Sequence, residues 1–86
     1  MQVRVLFFGV LRDQMGGPER MVQMAGDATV ADLMRWASGV LNDDGLVRSL
    51  AVAVNQEYAR PDTRLHEGDE VALLPPVSGG SRRGAI

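Results

Sequence analysis

The sequence predicts a small α+β domain in which one main helix and a sheet share a single hydrophobic core. Three observations predict this fold. The chain has 86 residues, which is enough for one core and not for two. A capped amphipathic helix lies near its middle, and short apolar segments with alternating pattern lie on both sides of that helix. We therefore expect the helix and the sheet each to bury one face against the other.

The strands are predicted from alternation of apolar and other residues. Residues 2–8 place Val3, Val5 and Phe7 on one face, and Arg4, Leu6 and Phe8 on the opposite face. Further strands are predicted at residues 19–24, 49–55, 56–58 and 70–74. Two consecutive prolines end the last strand, because proline has no N–H to donate to a sheet.

The main helix is predicted from its first residue onward. Thr29 followed three residues later by Asp32 forms the pattern of a capping box. An apolar stripe with spacings of three and four follows, made of Val30, Leu33, Met34, Ala37, Val40 and Leu41. Trp36 flanks this stripe, and residues 42–45 are expected to end the helix.

The remaining segments are assigned as turns or core filling. The polar stretch at residues 13–18 is expected to turn the chain, and its glycine pair lacks the spacing of a phosphate-binding loop. Methionine is a flexible apolar side chain that fills irregular gaps. Met21, Met24 and Met34 are accordingly expected to fill gaps in the core.

Composition excludes several chemistries. The chain has no cysteine, and all nine basic residues are arginine, so disulfides, thiolate ligands and a Schiff-base lysine are excluded. The net charge of −2 has the wrong sign for a nucleic-acid-binding protein. No apolar run is long enough to span a membrane, and the first residues lack the pattern of a signal peptide. We expect a cytoplasmic protein that binds neither nucleic acid nor membrane.

The sequence offers no catalytic site of its own. His66, the single histidine, stands beside a turn and has no partner at metal-ligand spacing, so we expect it to be exposed or to cap that turn. The acidic residues at 43–44 and 67–70 are expected on a solvated surface. A pair of carboxylates acting as acid and base needs a pocket, which so small a chain does not readily form. We therefore expect no metal site and no bound cofactor.

One segment calls for a functional explanation. The chain leaves the last predicted strand at Pro75-Pro76 and continues through Val77-Ser78 to Gly79-Gly80. Two glycines have no side chains, so their backbone can pass through a narrow channel of another protein. We expect a domain over residues 1–76 and a flexible tail over residues 77–86.

Residues 65–80, with Gly-Asp-Glu-Val leading into Pro-Pro-Val-Ser-Gly-Gly, resemble the C-terminal signature of the molybdopterin synthase small subunit. Residues 3–8, Leu11-Arg12-Asp13 and Val54-Asn55-Gln56 match that family in the same order. The resemblance covers nearly the whole chain up to Gly80. It implies a β-grasp fold, the fold of ubiquitin, with a mixed sheet wrapped around one helix.

The resemblance implies that the protein carries sulfur. An ATP-dependent adenylyltransferase of the ubiquitin-activating type would adenylate the Gly80 carboxylate, and sulfur would replace AMP to give a thiocarboxylate. The tail would then enter the active site of the large subunit and donate sulfur to cyclic pyranopterin monophosphate. ATP is used by the activating enzyme, and the acid and base groups would belong to the large subunit.

The resemblance also implies which residues dock on the large subunit. Phe8 lies on the strand face opposite Val3, Val5 and Phe7, so a core role does not account for it. Tyr58 and Leu74 match family positions of an apolar interface, and the segment 75–78 continues from it into the glycines. An apolar patch on an otherwise polar surface is typical of a binding site. The alternative is that Phe8, Tyr58 and Leu74 cover a second small core.

The chain departs from the family in continuing beyond Gly80 as Ser81-Arg82-Arg83-Gly84-Ala85-Ile86. In this form Gly80 is locked in a peptide bond and has no carboxylate to activate. We expect a protease to remove residues 81–86. A trypsin-like cut at the arginines would leave Ser81 attached.

Two other functions remain open. One is the sulfur carrier of the thiamine pathway, against which the Pro75-Pro76 pair argues. The other is a non-catalytic ubiquitin-like interaction module whose tail is never processed.

Overall fold

The computed structural model describes residues 1–76 of the chain. In chain order, its elements are β1 (Gln2–Phe7), α1 (Val10–Met15), β2 (Glu19–Gln23), α2 (Val30–Leu41), α3 (Asp44–Ser49), β3 (Ala51–Val54), β4 (Glu57–Tyr58) and β5 (Glu70–Leu74). The predicted α+β class is confirmed, and each predicted strand is present, with its ends shifted by at most two residues.

The five strands form one mixed sheet in the order β2-β1-β5-β3-β4. Strands β1 and β5 are parallel, with Phe7 opposite Leu73, and the other neighbouring pairs are antiparallel. Because β1 and β5 run in the same direction, both leave the sheet at the same edge. The sheet therefore brings Phe8 next to Leu74 and the two prolines.

The core lies between one face of this sheet and α2. The predicted inner face of β1 is confirmed, since Val3, Val5 and Phe7 are all buried. Leu73 of β5 lies beside them on the same face of the sheet, Leu33 belongs to α2, and neither has any exposed surface. Burial of each such side chain contributes roughly 1.5–3 kcal/mol to folding.

Helix α2 begins with the predicted capping box. The Thr29 hydroxyl accepts a hydrogen bond from the Asp32 N–H, and the Asp32 carboxylate accepts one from the Thr29 N–H. These two bonds satisfy donors that every helix leaves free at its first turn. The pKa of Asp32 lies below its ordinary value of 3.8, mainly because its carboxylate accepts the hydrogen bond from the Thr29 N–H. The nearby positive charge of Arg35 lowers this pKa further.

The capping box makes part of the free energy of unfolding depend on pH. Thr29→Ala is expected to lower the free energy of unfolding by about 0.5–2 kcal/mol.

Because folding lowers the pKa of Asp32, the contribution of its carboxylate is complete above pH 3.8 and disappears as the pH falls through the folded pKa. Urea unfolding of wild type and Asp32→Asn from pH 7 to 2 should therefore show a stability difference that closes only in acid. A constant difference over that range would contradict this role of the carboxylate.

Two short helices were not predicted. Residues 13–18 were expected to turn, yet Val10–Met15 forms α1, with Leu11 and Met15 buried, and the turn begins at Gly16. Residues 42–45 were expected only to end α2, which Asn42 does in a left-handed conformation. The Asp43 side chain then accepts a hydrogen bond from the Leu46 N–H and starts α3. Six residues are too few for a helical period to stand out.

Two apolar side chains lie on faces that the sequence assigned differently. Met21, expected in the core, is about half exposed on β2, and Val40, expected in the helix stripe, is 44% exposed at the end of α2. Met21 lies opposite Arg4 and so points to the outer face of the sheet. Met24, Met34 and Trp36 pack against the core as partly buried side chains, as expected.

Candidate functional site

The predicted docking residues that the structure describes surround one concavity. It has a volume of about 580 Å³ and lies where β1 and β5 leave the sheet. We call it the tail-base pocket, and its lining residues are Phe8, Gly9, Ser49, Ala51, Tyr58, Leu74, Pro75 and Pro76. Sequence reasoning had named five of these eight. It missed Gly9, which has no side chain, and Ser49 and Ala51, whose side chains are too small to indicate a binding surface.

Alternation along β1 and β5 positions one wall of this pocket. With Leu6 opposite Ala72, the next outward-facing positions are Phe8 and Leu74. Phe8 is 44% exposed and Leu74 is half-buried. The prediction that Phe8 lies off the core is confirmed. The two residues form an apolar wall at the edge of the sheet from which the tail departs.

Tyr58 forms the opposite wall. It lies on β4 opposite Ala53 of β3, and 81% of it is exposed. A side chain this exposed does not cover a second core, so that alternative is excluded for Tyr58. An exposed tyrosine offers a large rigid apolar surface with one hydrogen-bonding group, which is typical of residues that anchor a partner.

A hydrogen-bonded clip holds the strand that carries Tyr58. Asn55 and Gln56 form the tight turn between β3 and β4, both with positive φ. The Asn55 side chain donates to Asp69 Oδ1 and accepts from the Glu70 N–H, each at 3.0 Å. The turn is thereby fastened to the start of β5. These bonds give a physical reason for the Val-Asn-Gln and Gly-Asp-Glu segments noted in the sequence.

Breaking this clip should loosen the turn and β4. Asn55→Ala removes both bonds and puts alanine at a φ of 50°, which alanine adopts poorly. We expect a loss of about 1–3 kcal/mol in the free energy of unfolding. Amide hydrogen exchange should locate the loosening in residues 55–59. Unchanged exchange there, with Gln23→Ala as a surface control, would contradict the role given to Asn55.

His66 is exposed at the turn before β5, as the sequence predicted, and the Asp69 carboxylate caps this turn. The His66 backbone N–H donates to Asp69 Oδ2 at 2.8 Å, and its imidazole is mostly exposed. Within residues 1–76, no cluster of three or more His, Asp or Glu side chains is arranged to hold a metal ion. Over the same residues, no helix has the length and apolarity needed to cross a membrane.

The tail-base pocket is suited to binding rather than to proton transfer. Its lining carries two hydroxyl groups, those of Ser49 and Tyr58, and the rest is apolar side chain or glycine. An apolar concavity of this kind accepts a side chain or segment of another protein. Val77, Ser78, Gly79 and Gly80 complete the predicted site, and they lie outside the described residues.

A second apolar groove lies on the other side of Tyr58. It runs between α2, α3 and β3, has a volume of about 580 Å³, and shares Ala51 and Tyr58 with the tail-base pocket. We call it the helix groove. Its floor includes Val30, Met34 and Val47. The sequence did not indicate it, because α3 had not been predicted.

Comparison with solved structures identifies the fold. SAMP1 from Haloferax volcanii superposes with a TM-score of 0.78 at 32% identity, over 93% of this chain and 100% of that one. A ubiquitin from Caldiarchaeum subterraneum superposes with a TM-score of 0.67 at 15% identity, over 93% and 98% of the two chains. The predicted ubiquitin-like β-grasp fold is confirmed.

A solved complex of subunits 1 and 2 of the molybdopterin-converting factor from Helicobacter pylori contains a further structural relative. That chain superposes with a TM-score of 0.63 at 31% identity, over 93% of this chain and 100% of its own length. This relative is thus a chain of the same size that was solved together with its partner subunit.

Comparison of sequences identifies the family. The molybdopterin synthase sulfur carrier subunit of Chlamydomonas reinhardtii is 38% identical, over 93% of this chain and all of that protein. Small archaeal modifier protein 1 of Haloferax volcanii is also 38% identical, over 85% of this chain and 94% of that protein. The model of the ThiS family matches residues 5–80. This chain therefore belongs to the ThiS family, in which it is related to the molybdopterin synthase sulfur carrier subunits.

Proposed function

We propose that this chain is the sulfur-carrier subunit of a molybdopterin synthase and acts in the cytoplasm in molybdenum cofactor biosynthesis. The observation that carries the proposal is the position of the tail-base pocket, directly beside the point where the chain leads toward Gly79-Gly80. The family match ends at Gly80, and relatives of the same length carry this function in their names. A docking surface and a glycine tail in one place suit a subunit that delivers a reactive group into its partner.

The sulfur is proposed to travel on the carboxyl group of Gly80. A carboxylate is a poor acyl donor, so a ubiquitin-activating-type adenylyltransferase first joins it to AMP, using ATP and releasing pyrophosphate. A sulfur nucleophile then forms the C–S bond as the C–O bond to AMP breaks. The sulfur of the resulting thiocarboxylate is a soft nucleophile, which forms a bond to a carbon of cyclic pyranopterin monophosphate as an oxygen on that carbon leaves. Water then cleaves the acyl–sulfur bond of the thioester, which leaves the sulfur on the pterin and restores the Gly80 carboxylate.

The chain itself supplies binding and delivery. Phe8, Tyr58 and Leu74 offer the apolar surface that docks on the large subunit, and Pro75 and Pro76 direct the chain away from the sheet. Proline has a fixed φ, so less conformational freedom is lost when the tail is held extended. Glycine at positions 79 and 80 lets the backbone pass through a channel too narrow for side chains. Protonation steps belong to the large subunit.

Processing must precede this chemistry. Gly80 is followed by Ser81 in the sequence, so its carbonyl is part of an amide. We propose that a protease hydrolyses the Gly80–Ser81 bond. Because positions 79 and 80 have no side chains, we propose that this protease contacts the backbone of the two residues directly before the cut.

A second candidate function is conjugation to other proteins. The similarity to small archaeal modifier protein 1 favours it, because that relative is as similar in sequence as the carrier subunits are. The same activated Gly80 would then acylate an amine of a target protein instead of receiving sulfur. The two functions share processing and adenylation, and they differ in the nucleophile that follows.

Reconstitution tests the proposal. The chain ending at Gly80 is prepared as its thiocarboxylate and mixed with the large subunit of a molybdopterin synthase and cyclic pyranopterin monophosphate. We expect Gly80 to return to the carboxylate form as the dithiolene product appears, with the large subunit alone as control. A thiocarboxylate that stays intact with that partner, while activated chain forms amide adducts with other proteins, would favour the modifier function instead.

A further inference from the structure

Gly9, the residue directly before α1, has a backbone conformation that residues with a side chain adopt poorly. Its φ is 57° and its ψ is −134°, a combination that is accessible mainly to glycine. The conformation is held on both sides. The Phe8 and Gly9 carbonyls accept hydrogen bonds from the N–H groups of Leu11 and Arg12, and the Leu11 side chain is fully buried.

Gly9 also lies against the base of the tail. A Cβ atom added to Gly9 would be 3.1 Å from Cγ of Pro75, closer than carbon atoms ordinarily approach. Gly16 and Gly68 also have positive φ, but an added Cβ at either would meet no atom within 4 Å. Within residues 1–76, Gly9 thus combines a strained conformation with a close contact.

The contact joins two rigid parts of the chain. On one side is the β1–α1 junction, fixed by its hydrogen bonds and by buried Leu11. On the other is Pro75, whose ring fixes its own φ and which follows the last registered strand residue, Leu74. The direction in which the chain leaves Pro76 therefore depends on how Pro75 sits on Gly9.

A small rotation at the contact between Gly9 and Pro75 would displace the far end of the tail by a much larger distance. Gly80 is four residues beyond Pro76, so a tail held extended by a partner reaches about 13 Å further. Pro75 is five residues, or about 17 Å of extended chain, before Gly80, so a rotation of about 10° at Pro75 would displace the end of such a tail by about 3 Å. A misplacement of about 1 Å at a reacting centre is enough to slow a reaction on the order of a hundredfold.

We infer that Gly9 is a positioning residue for sulfur transfer, which aims the tail by allowing Pro75 to pack directly on the backbone of the β1–α1 junction. This inference rests on the proposed function. It assigns to Gly9 an effect on the rate of transfer in the complex, separate from the affinity that Phe8 and Tyr58 provide.

The test compares the thiocarboxylate of the chain ending at Gly80 with its Gly9→Ala and Gly9→Val variants. Single-turnover transfer at varied large-subunit concentration separates the maximal rate from the half-saturating concentration. We expect the maximal rate to fall several-fold for Gly9→Ala and at least tenfold for Gly9→Val, with little change in half-saturation. Gly16→Ala, which strains the backbone without touching the tail, should lower the melting temperature and leave the maximal rate unchanged.

A double variant ties the effect to the contact with Pro75. Gly9→Ala/Pro75→Ala removes the ring that the new methyl group meets, so it should transfer sulfur no more slowly than Pro75→Ala alone. Unchanged rates in both Gly9 variants, or additive losses in the double variant, would overturn the inference. Failure of the wild-type chain to transfer sulfur would instead contradict the proposed function.

Discussion

The chain ending at Gly80 is expected to be adenylated by its activating enzyme, and the chain of 86 residues is expected not to be. Adenylation requires a free carboxylate at Gly80, and in the longer chain that carbonyl is an amide that cannot attack ATP. The difference should be complete rather than gradual. ATP–pyrophosphate exchange catalysed by an adenylyltransferase of the ubiquitin-activating type measures it directly.

Two matched chains distinguish the carboxylate from the position of the chain end. A chain ending at Ser81 has a free carboxylate one residue too late, and Gly80→Ala in the shorter chain adds a single methyl group. We expect the Ser81 chain to show no exchange and Gly80→Ala to show much reduced exchange. Equal exchange by the 80- and 86-residue chains would show that residues 81–86 need no removal, and this part of the account would fail.

Phe8→Ala and Tyr58→Ala are each expected to weaken binding to the large subunit by about 10- to 100-fold, the range in which residues that dominate an interface fall. Both side chains are exposed on the tail-base pocket, so little folding stability should be lost with them. Calorimetric titration with the large subunit gives the dissociation constant, and thermal unfolding of each variant gives the stability.

Val40→Ala is the matched control, because Val40 is as exposed as Phe8 but lies at the end of α2 and does not line the tail-base pocket. It should bind as wild type does. The helix groove provides the competing result. If Met34→Ala in that groove weakens binding while Phe8→Ala does not, the partner docks between α2 and β3 and the assigned surface is wrong.

The sequence predicted the parts of the fold that repeat a pattern. Alternation located β1 and β3, and the spacing of Thr29 and Asp32 located the start of α2 within one residue. The short helices α1 and α3 were missed, because each has six residues and buries only one or two side chains. Met21 was misplaced because its apolar side chain says nothing about which face of β2 it occupies.

The residues of the candidate site, too, could be predicted from the sequence only in part. Phe8 was recognisable because alternation puts it opposite the buried face of β1, and Tyr58 because of the resemblance to a known family. The part played by Gly9 could not be predicted, since it depends on a contact with Pro75, 66 positions away in the sequence. A long-range parallel pairing of β1 with β5 creates that contact, and no local pattern encodes it.

The central claim is that this chain carries sulfur on Gly80, and the intact mass of the protein from its own host tests it most directly. Under conditions in which the cofactor is made, the account predicts a chain that ends at Gly80, with a fraction in which sulfur replaces one oxygen atom. Treatment with an alkylating reagent should then modify that fraction alone, since the chain has no cysteine. A chain that still ends at Ile86 under those conditions would contradict the claim and support an interaction module with an unprocessed tail.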